Sequence, residues 1–105
     1  MSIADVQVNN SNYLTTHDDK GRRIAGVYLS GGEEFLGFGS DFYVTVNRSN
    51  YMATYDEKCR RIAGTYLSGG EEFKSCGGNT ITTKNKSNYV QQYDRNLKKG
   101  SGRYA

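Results

Sequence analysis

The chain contains no proline and no tryptophan, and histidine occurs once. Without proline, turns fall to glycine, asparagine, aspartate and serine. Two cysteines are too few for a disulfide framework. No Cys/His cluster, no Ser/His/Asp set and no phosphate-binding loop before a helix appears. The expectation is a non-enzymatic protein with no metal site and no cofactor. Long apolar runs are also missing. None approaches the ~20 residues that span a bilayer, so no membrane is expected as a partner. No basic–apolar–small signal segment opens the sequence. Location stays open on that basis, with the cytoplasm slightly favoured. Apolar residues make up 35% of the 105, below the ordinary range of about 45–50%. Burial therefore rests on nine tyrosines and four phenylalanines, each able to bury roughly 150–250 Å². Thirteen glycines suit short strands and tight turns better than helices.

What the chain does have is repetition. Arg22 to Phe35 reads RRIAGVYLSGGEEF, and Arg60 to Phe73 reads RRIAGTYLSGGEEF, 38 residues later. Ser-Asn-Tyr recurs three times at that offset, at Ser11, Ser49 and Ser87. One domain, 1–105, is expected to hold three repeats: 1–38, 39–76 and 77–105. Cys59 takes the slot of Gly21, and Cys76 the slot of Phe38. Neither belongs to the repeated pattern, so free thiols are expected, with a bridge or redox role left open.

Period-two alternation predicts three strands per repeat. The first is Val6–Val8, Val44–Val46 and Thr82–Lys84. The second is Tyr13–His17, Tyr51–Tyr55 and Tyr89–Tyr93. The third is Ile24–Leu29, Ile62–Leu67 and Gly100–Ala105. The connector adds a short fourth strand at Glu34–Phe38 or Glu72–Cys76. An all-β repeat architecture of short antiparallel strands follows. A closed pseudo-threefold arrangement, β-prism or β-trefoil, is the first expectation. A half β-propeller that dimerises, and hence an oligomer, is the alternative. The third copy trades Val44, Val46 and Ile62 for Thr82, Lys84 and Gly100. Its core should be weaker. Residues 80–105 carry a charge of +5 against −2 for residues 1–79.

Gly31-Gly32-Glu33-Glu34-Phe35 and Gly69-Gly70-Glu71-Glu72-Phe73 resemble the GGEEF hairpin of diguanylate cyclases. Two copies at the repeat offset, in a chain without helical periodicity, read instead as a structural turn with solvated acids at a sheet edge. Basic pairs precede each third strand, at Arg22-Arg23, Arg60-Arg61 and Lys98-Lys99. The first two face a possible meeting with a neighbouring acidic connector. Lys84, Lys86, Arg95, Lys98, Lys99 and Arg103 are left as a patch for an anionic partner, or as a solvated face.

The constellation with most chemical content is the turn before each second strand. Asn47-x-Ser49-x-Tyr51-x-x-x-Tyr55 recurs as Asn85, Ser87, Tyr89 and Tyr93, and as Asn9, Ser11, Tyr13 and His17. The three Asn-x-Ser triplets also fit the N-glycosylation pattern. Turn chemistry is the first reading of them. The motif resembles that of bulb lectins, the monocot mannose-binding family, which repeat Gln-x-Asp-x-Asn-x-Val-x-Tyr on a β-prism. The amide-to-tyrosine spacing agrees; Ser stands for Asp, Tyr for Asn, and Val is absent. The resemblance implies sugar sites at Asn9, Ser11 and Tyr13; at Asn47, Ser49, Tyr51 and Tyr55; and at Asn85, Ser87, Tyr89 and Tyr93. Amides, hydroxyls and aromatic platforms are also what sugars need. The competing reading is that these tyrosines fill the core. The function expected is a carbohydrate-binding module. A protein-interaction, inhibitor or self-assembling repeat is the alternative. Weak nucleic-acid binding through the basic third repeat, with Tyr89 and Tyr93 as stacking platforms, comes after.

Overall fold

The structure is a computed structural model and describes residues 3–29, 32–67 and 70–104. Gly31 and Gly69 of the two pentapeptides, and Ala105 of the expected last strand, lie outside the described residues. The chain is all-β. Among the described residues, eleven antiparallel strands form three sheets, each an up-and-down meander. Sheet 1 holds β1 (Asp5–Val8), β2 (Tyr13–His17) and β3 (Arg23–Tyr28). Sheet 2 holds β4 (Glu34–Phe38), β5 (Phe42–Val46), β6 (Tyr51–Asp56) and β7 (Arg61–Tyr66). Sheet 3 holds β8 (Glu72–Gly77), β9 (Thr80–Lys84), β10 (Tyr89–Tyr93) and β11 (Lys99–Tyr104). Each connector strand opens the following sheet: β4 pairs with β5, and β8 with β9.

Turn chemistry fixes the registers. In the first hairpin Asn12 adopts φ 60°, its N–H donates to the Asn9 carbonyl, and Asn9 N–H donates to the Tyr13 carbonyl. Asn50 and Asn88 repeat this with φ 60° and 64°. Asparagine tolerates that region, which most side chains avoid. The second hairpin closes through Asp18, Asp56 or Asp94, and its left-handed position is Gly21, Cys59 or Leu97. A register irregularity adjoins each of these turns, at His17, Tyr55 and Tyr93, as a left-handed hairpin residue produces.

The sheets pack face to face in series. Between sheets 1 and 2 lie Ile3, Leu14 and Tyr43, flanked by Val27, Phe35 and Tyr55. Between sheets 2 and 3 lie Phe42, Val44, Met52, Ile81 and Tyr93, flanked by Leu36, Ile62 and Phe73. Sheet 2 is thus covered on both faces. Phe42 to Thr45 and Met52 to Thr54 are all buried, so alternation gives way to continuous burial there. Strand contacts join β1 to β4 and β4 to β8; among the described residues none joins sheet 1 to sheet 3. The closed pseudo-threefold packing expected from the repeat is therefore not the arrangement found. A closed threefold core needs an apolar face on every side. Sheet 3 presents Thr82, Lys84 and Gly100 where sheet 2 presents Val44, Val46 and Ile62.

Hydrogen bonds repeat this serial order. Thr16 donates through Oγ1 to the Glu57 carbonyl, and Thr54 to the Arg95 carbonyl, both at 2.7 Å. Ile3 N–H donates to Ser40 and Ser40 N–H to Gly78.

Candidate functional site

The three Asn-x-Ser turns have one geometry. The Asn9 side-chain oxygen accepts from Ser11 N–H at 2.9 Å and Tyr13 N–H at 3.1 Å. Asn47 accepts from Ser49 and Tyr51, and Asn85 from Ser87 and Tyr89. The amide oxygens are therefore committed to the turn, and only the amide N–H groups remain for a ligand. Ser11, Ser49 and Ser87 are exposed.

The tyrosines divide into three sets. Tyr55 and Tyr93 turn toward the core. Tyr93 is 6% exposed, and Tyr55 stacks on Tyr43 at 5.1 Å between centroids. Their hydroxyls donate to Glu33 Oε2 at 2.9 Å and Glu71 Oε2 at 2.8 Å. Thr45 and Thr83 donate to the same two carboxylates. Burial, then the adjoining carboxylate, pushes both phenols up to about 12. Glu33 and Glu71 are accordingly internal anchors of the connector strands, whereas Glu34 and Glu72 are exposed. Only half of each acidic pair is the solvated edge that sequence predicts.

Tyr13, Tyr51 and Tyr89 form the second set. They lie half-buried across their sheets over Gly26, Gly64 and Gly102. A β-carbon on Gly64 would run into the Tyr51 hydroxyl and ring, so glycine lets the ring lie down in this crossing. The Arg61 guanidinium lies 5.6 Å from the Tyr51 ring centroid, within cation–π range. Tyr28, Tyr66 and Tyr104 form the third set, at the ends of β3, β7 and β11. They are 67%, 67% and 72% exposed. Each meets its half-buried partner edge to face, at 4.6, 4.7 and 5.0 Å between centroids. Sequence reading places this third set in strands but not in the site. The available signal is Gly-x-Tyr, three times at the 38-residue offset.

Two further candidates stand apart from the tyrosine pairs. A cavity of about 420 Å³ between sheets 2 and 3 is lined by Leu36, Val46, Leu67 and Phe73 with Glu34, Glu71 and Glu72. None of the expected sugar-binding residues lines it. The basic set is dispersed. Arg95 pairs with Asp41 at 3.0 Å, the Lys86 stem covers Gly70, and Lys98 and Lys99 border a smaller cavity with Asp94. Lys84 is half-buried and Arg103 exposed. Arg22 and Arg60 pair with Asp18 and Asp56 in their own turns, at 3.2 and 3.0 Å. The acid four residues earlier takes these arginines, so they do not bridge to an acidic connector. Cys59 and Cys76 are free, and burial raises both thiols, Cys76 to about 11.

Known proteins resemble this chain in fold alone. The chain is similar to the crystal structure of BamB from Moraxella catarrhalis, with 14% identity and a TM-score of 0.61. That match covers 94% of this chain and 32% of the other. It is also similar to KlHsv2 with loop 6CD replaced by a Gly-Ser linker, at 17% identity and a TM-score of 0.55, covering 91% and 36%. The chain spans about a third of the length of either structure. No protein family matches it, and no curated protein matches it significantly.

Proposed function

We propose that this protein is a non-enzymatic binding module that takes carbohydrate on its three outer tyrosine pairs. One observation carries the reading. An exposed tyrosine, braced edge to face by a second, stands three times at the sheet end that also holds an exposed Asn-x-Ser turn. The Leu29 and Leu67 N–H groups donate to the Asn12 and Asn50 carbonyls, which ties β3 and β7 to those turns. A pre-braced aromatic face costs little ordering entropy on binding, and the turn's amide N–H and hydroxyl groups suit sugar hydroxyls. Three similar sites favour avidity on a repeated glycan. Relative to the resemblance-based site, the stacking surface moves outward, from Tyr13, Tyr51 and Tyr89 to Tyr28, Tyr66 and Tyr104. Glycan-array screening tests this. A binding glycan whose signal falls at least tenfold in the Tyr28→Ala, Tyr66→Ala, Tyr104→Ala triple variant supports the reading. No hit, or a hit indifferent to all three changes, removes it.

We further infer that the three sheets are successive blades of a propeller-like array. Serial face-to-face packing of antiparallel meanders supports this, as does the likeness to larger structures. Two copies would supply six blades, inside the usual span of about four to eight. The outer faces of sheets 1 and 3 carry Asp5, Gln7, Thr82 and Lys84, which weighs against a ring closed through those faces. A single sedimenting species of monomer mass at every concentration would remove the dimeric half-propeller.

A further inference from the structure

Each strand that ends in an exposed tyrosine begins with an exposed cation: Arg23 on β3, Arg61 on β7 and Lys99 on β11. Each cation lies opposite an aromatic slot of the neighbouring strand, His17, Tyr55 or Tyr93. The two arginine pairs are thereby split. Arg22 and Arg60 are held by Asp18 and Asp56 in their own turns. The residues that follow them, Arg23 and Arg61, form no salt bridge among the described residues, and neither does Lys99.

Sheet 2 shows what this brings together. It has a sheet packed on each face, yet Tyr66 stays exposed. Tyr51 lies down over Gly64, between Arg61 and Tyr66. The Arg61 guanidinium is 5.6 Å from the Tyr51 ring centroid and the Tyr66 centroid is 4.7 Å from it, so cation and outer platform stand no more than about 10 Å apart. The Glu33 carboxylate, which also adjoins Tyr55, accepts from the Tyr55 and Thr45 hydroxyls instead of pairing with Arg61. A guanidinium resting on an aromatic ring is held in place and still carries its planar fork of N–H donors. That fork matches a carboxylate two bonds at a time. A neutral sugar would satisfy the tyrosines and leave the charge unmatched.

We propose that the three tyrosine sites take acidic glycans, namely oligosaccharides bearing uronate carboxylates. One sugar ring lies on Tyr28, Tyr66 or Tyr104, and a carboxylate on that ring or the next reaches Arg23, Arg61 or Lys99. This rests on the carbohydrate reading above and adds the class of sugar. The separation in sheet 2 is within the reach of a disaccharide, so platform and cation can be met by neighbouring units. A cation repeated with each platform suits a polymer whose acid groups also repeat. The third site selects a carboxylate least, because a lysine is a point charge without the planar fork.

The probes are oligosaccharides of galacturonate, alginate and hyaluronan, each beside its own methyl ester, titrated against the full chain by tyrosine fluorescence. The ester keeps every ring and hydroxyl and masks only the charge. The expected result is that at least one acid binds, and that its ester binds roughly tenfold more weakly, the weight of one charge-assisted contact. In the Arg23→Gln, Arg61→Gln, Lys99→Gln triple variant, shown folded by its thermal melt, that preference should shrink toward unity. Should the variant fail to fold, acid against ester on the unaltered protein decides. Equal binding of acid and ester in every pair overturns the proposal, as does no binding by any acid. A preference that survives the triple variant comes from charge elsewhere, and overturns it too. The underlying reading fails separately. A neutral glycan lost in the tyrosine triple variant keeps the carbohydrate module and removes only its acidic preference, whereas a glycan array without a hit removes both.

Discussion

Replacing Thr54 with valine removes one hydroxyl and leaves the side-chain shape almost unchanged. Thr54 is fully buried, and its Oγ1 donates at 2.7 Å to the Arg95 carbonyl in the β10–β11 turn. That bond crosses from sheet 2 to sheet 3. Without it the carbonyl keeps no donor from sheet 2, at a cost of about 1–3 kcal/mol. The added methyl returns about 0.8 kcal/mol of apolar burial. A net loss of about 0.2–2.2 kcal/mol remains, centred near 1 kcal/mol, and at about 4–8 °C per kcal/mol the melting temperature should drop by about 4–8 °C at that centre. Urea unfolding followed by tyrosine fluorescence should show a lower midpoint with an unchanged slope, because the surface exposed on unfolding is the same. Thr65→Val is the control. It lies opposite Met52, is half-buried and makes no side-chain hydrogen bond, so a change within ±0.5 kcal/mol is expected. Thr16→Val should behave like Thr54→Val, since Thr16 makes the matching bond to Glu57. If Thr54→Val costs no more than Thr65→Val, the inter-sheet bonds do not hold the array and the reasoning fails.

Gly64→Ala should cost about 1–3 kcal/mol by overpacking, because the new β-carbon would fall on the Tyr51 ring; Gly77→Ala, with open space around it, should be near neutral by the same melt. Alkaline titration by tyrosinate absorbance should show a late phase, with Tyr55 and Tyr93 ionising near pH 12. Their raised folded values make the associated stability complete below about pH 10 and lost as pH climbs through about 12; one wave near pH 10 with the fold intact would contradict the Glu33 and Glu71 contacts. Restoring apolar residues on sheet 3 with Thr82→Val, Lys84→Val and Gly100→Ile should induce concentration-dependent association in sedimentation, and an unchanged monomer mass would show that face polarity is not what ends the array.

The strands themselves were legible because turn and strand signals coincide. Asn-x-Ser before Tyr13, Tyr51 and Tyr89, and Asp before Arg22, Arg60 and Lys98, punctuate alternating segments; β2 and β10 fall where alternation puts them, and β4 where the connector puts it. The burial of each tyrosine was not legible. Tyr51 and Tyr55 share a strand face, yet one reaches the outer half of the sheet and the other the core. The difference depends on Glu33, 22 residues from Tyr55, and on Gly64 across the sheet, neither of which a local pattern contains. Closure is not legible for a related reason. A repeat specifies that neighbouring copies pack, but whether the last copy packs on the first is set by residues that break the repeat.

Those departures have a consistent direction. On the outer face of sheet 3, Val44, Val46, Thr54 and Ile62 of the buried interface give way to Thr82, Lys84, Gln92 and Gly100. On the outer face of sheet 1, Tyr43, Thr45 and Tyr55 give way to Asp5, Gln7 and His17. The inward faces change less: Leu14 and Ile81 stay fully buried, although Gln91, opposite Thr83, replaces the buried Ala53. Random decay of a repeat would strike both faces of a sheet alike. Loss concentrated on the outward faces keeps those faces from presenting an apolar surface that would recruit further copies. Gln92 shows the change at one atom. It occupies the slot of Thr16 and Thr54, but its side-chain oxygen accepts from Ser101 within sheet 3 instead of reaching toward another sheet.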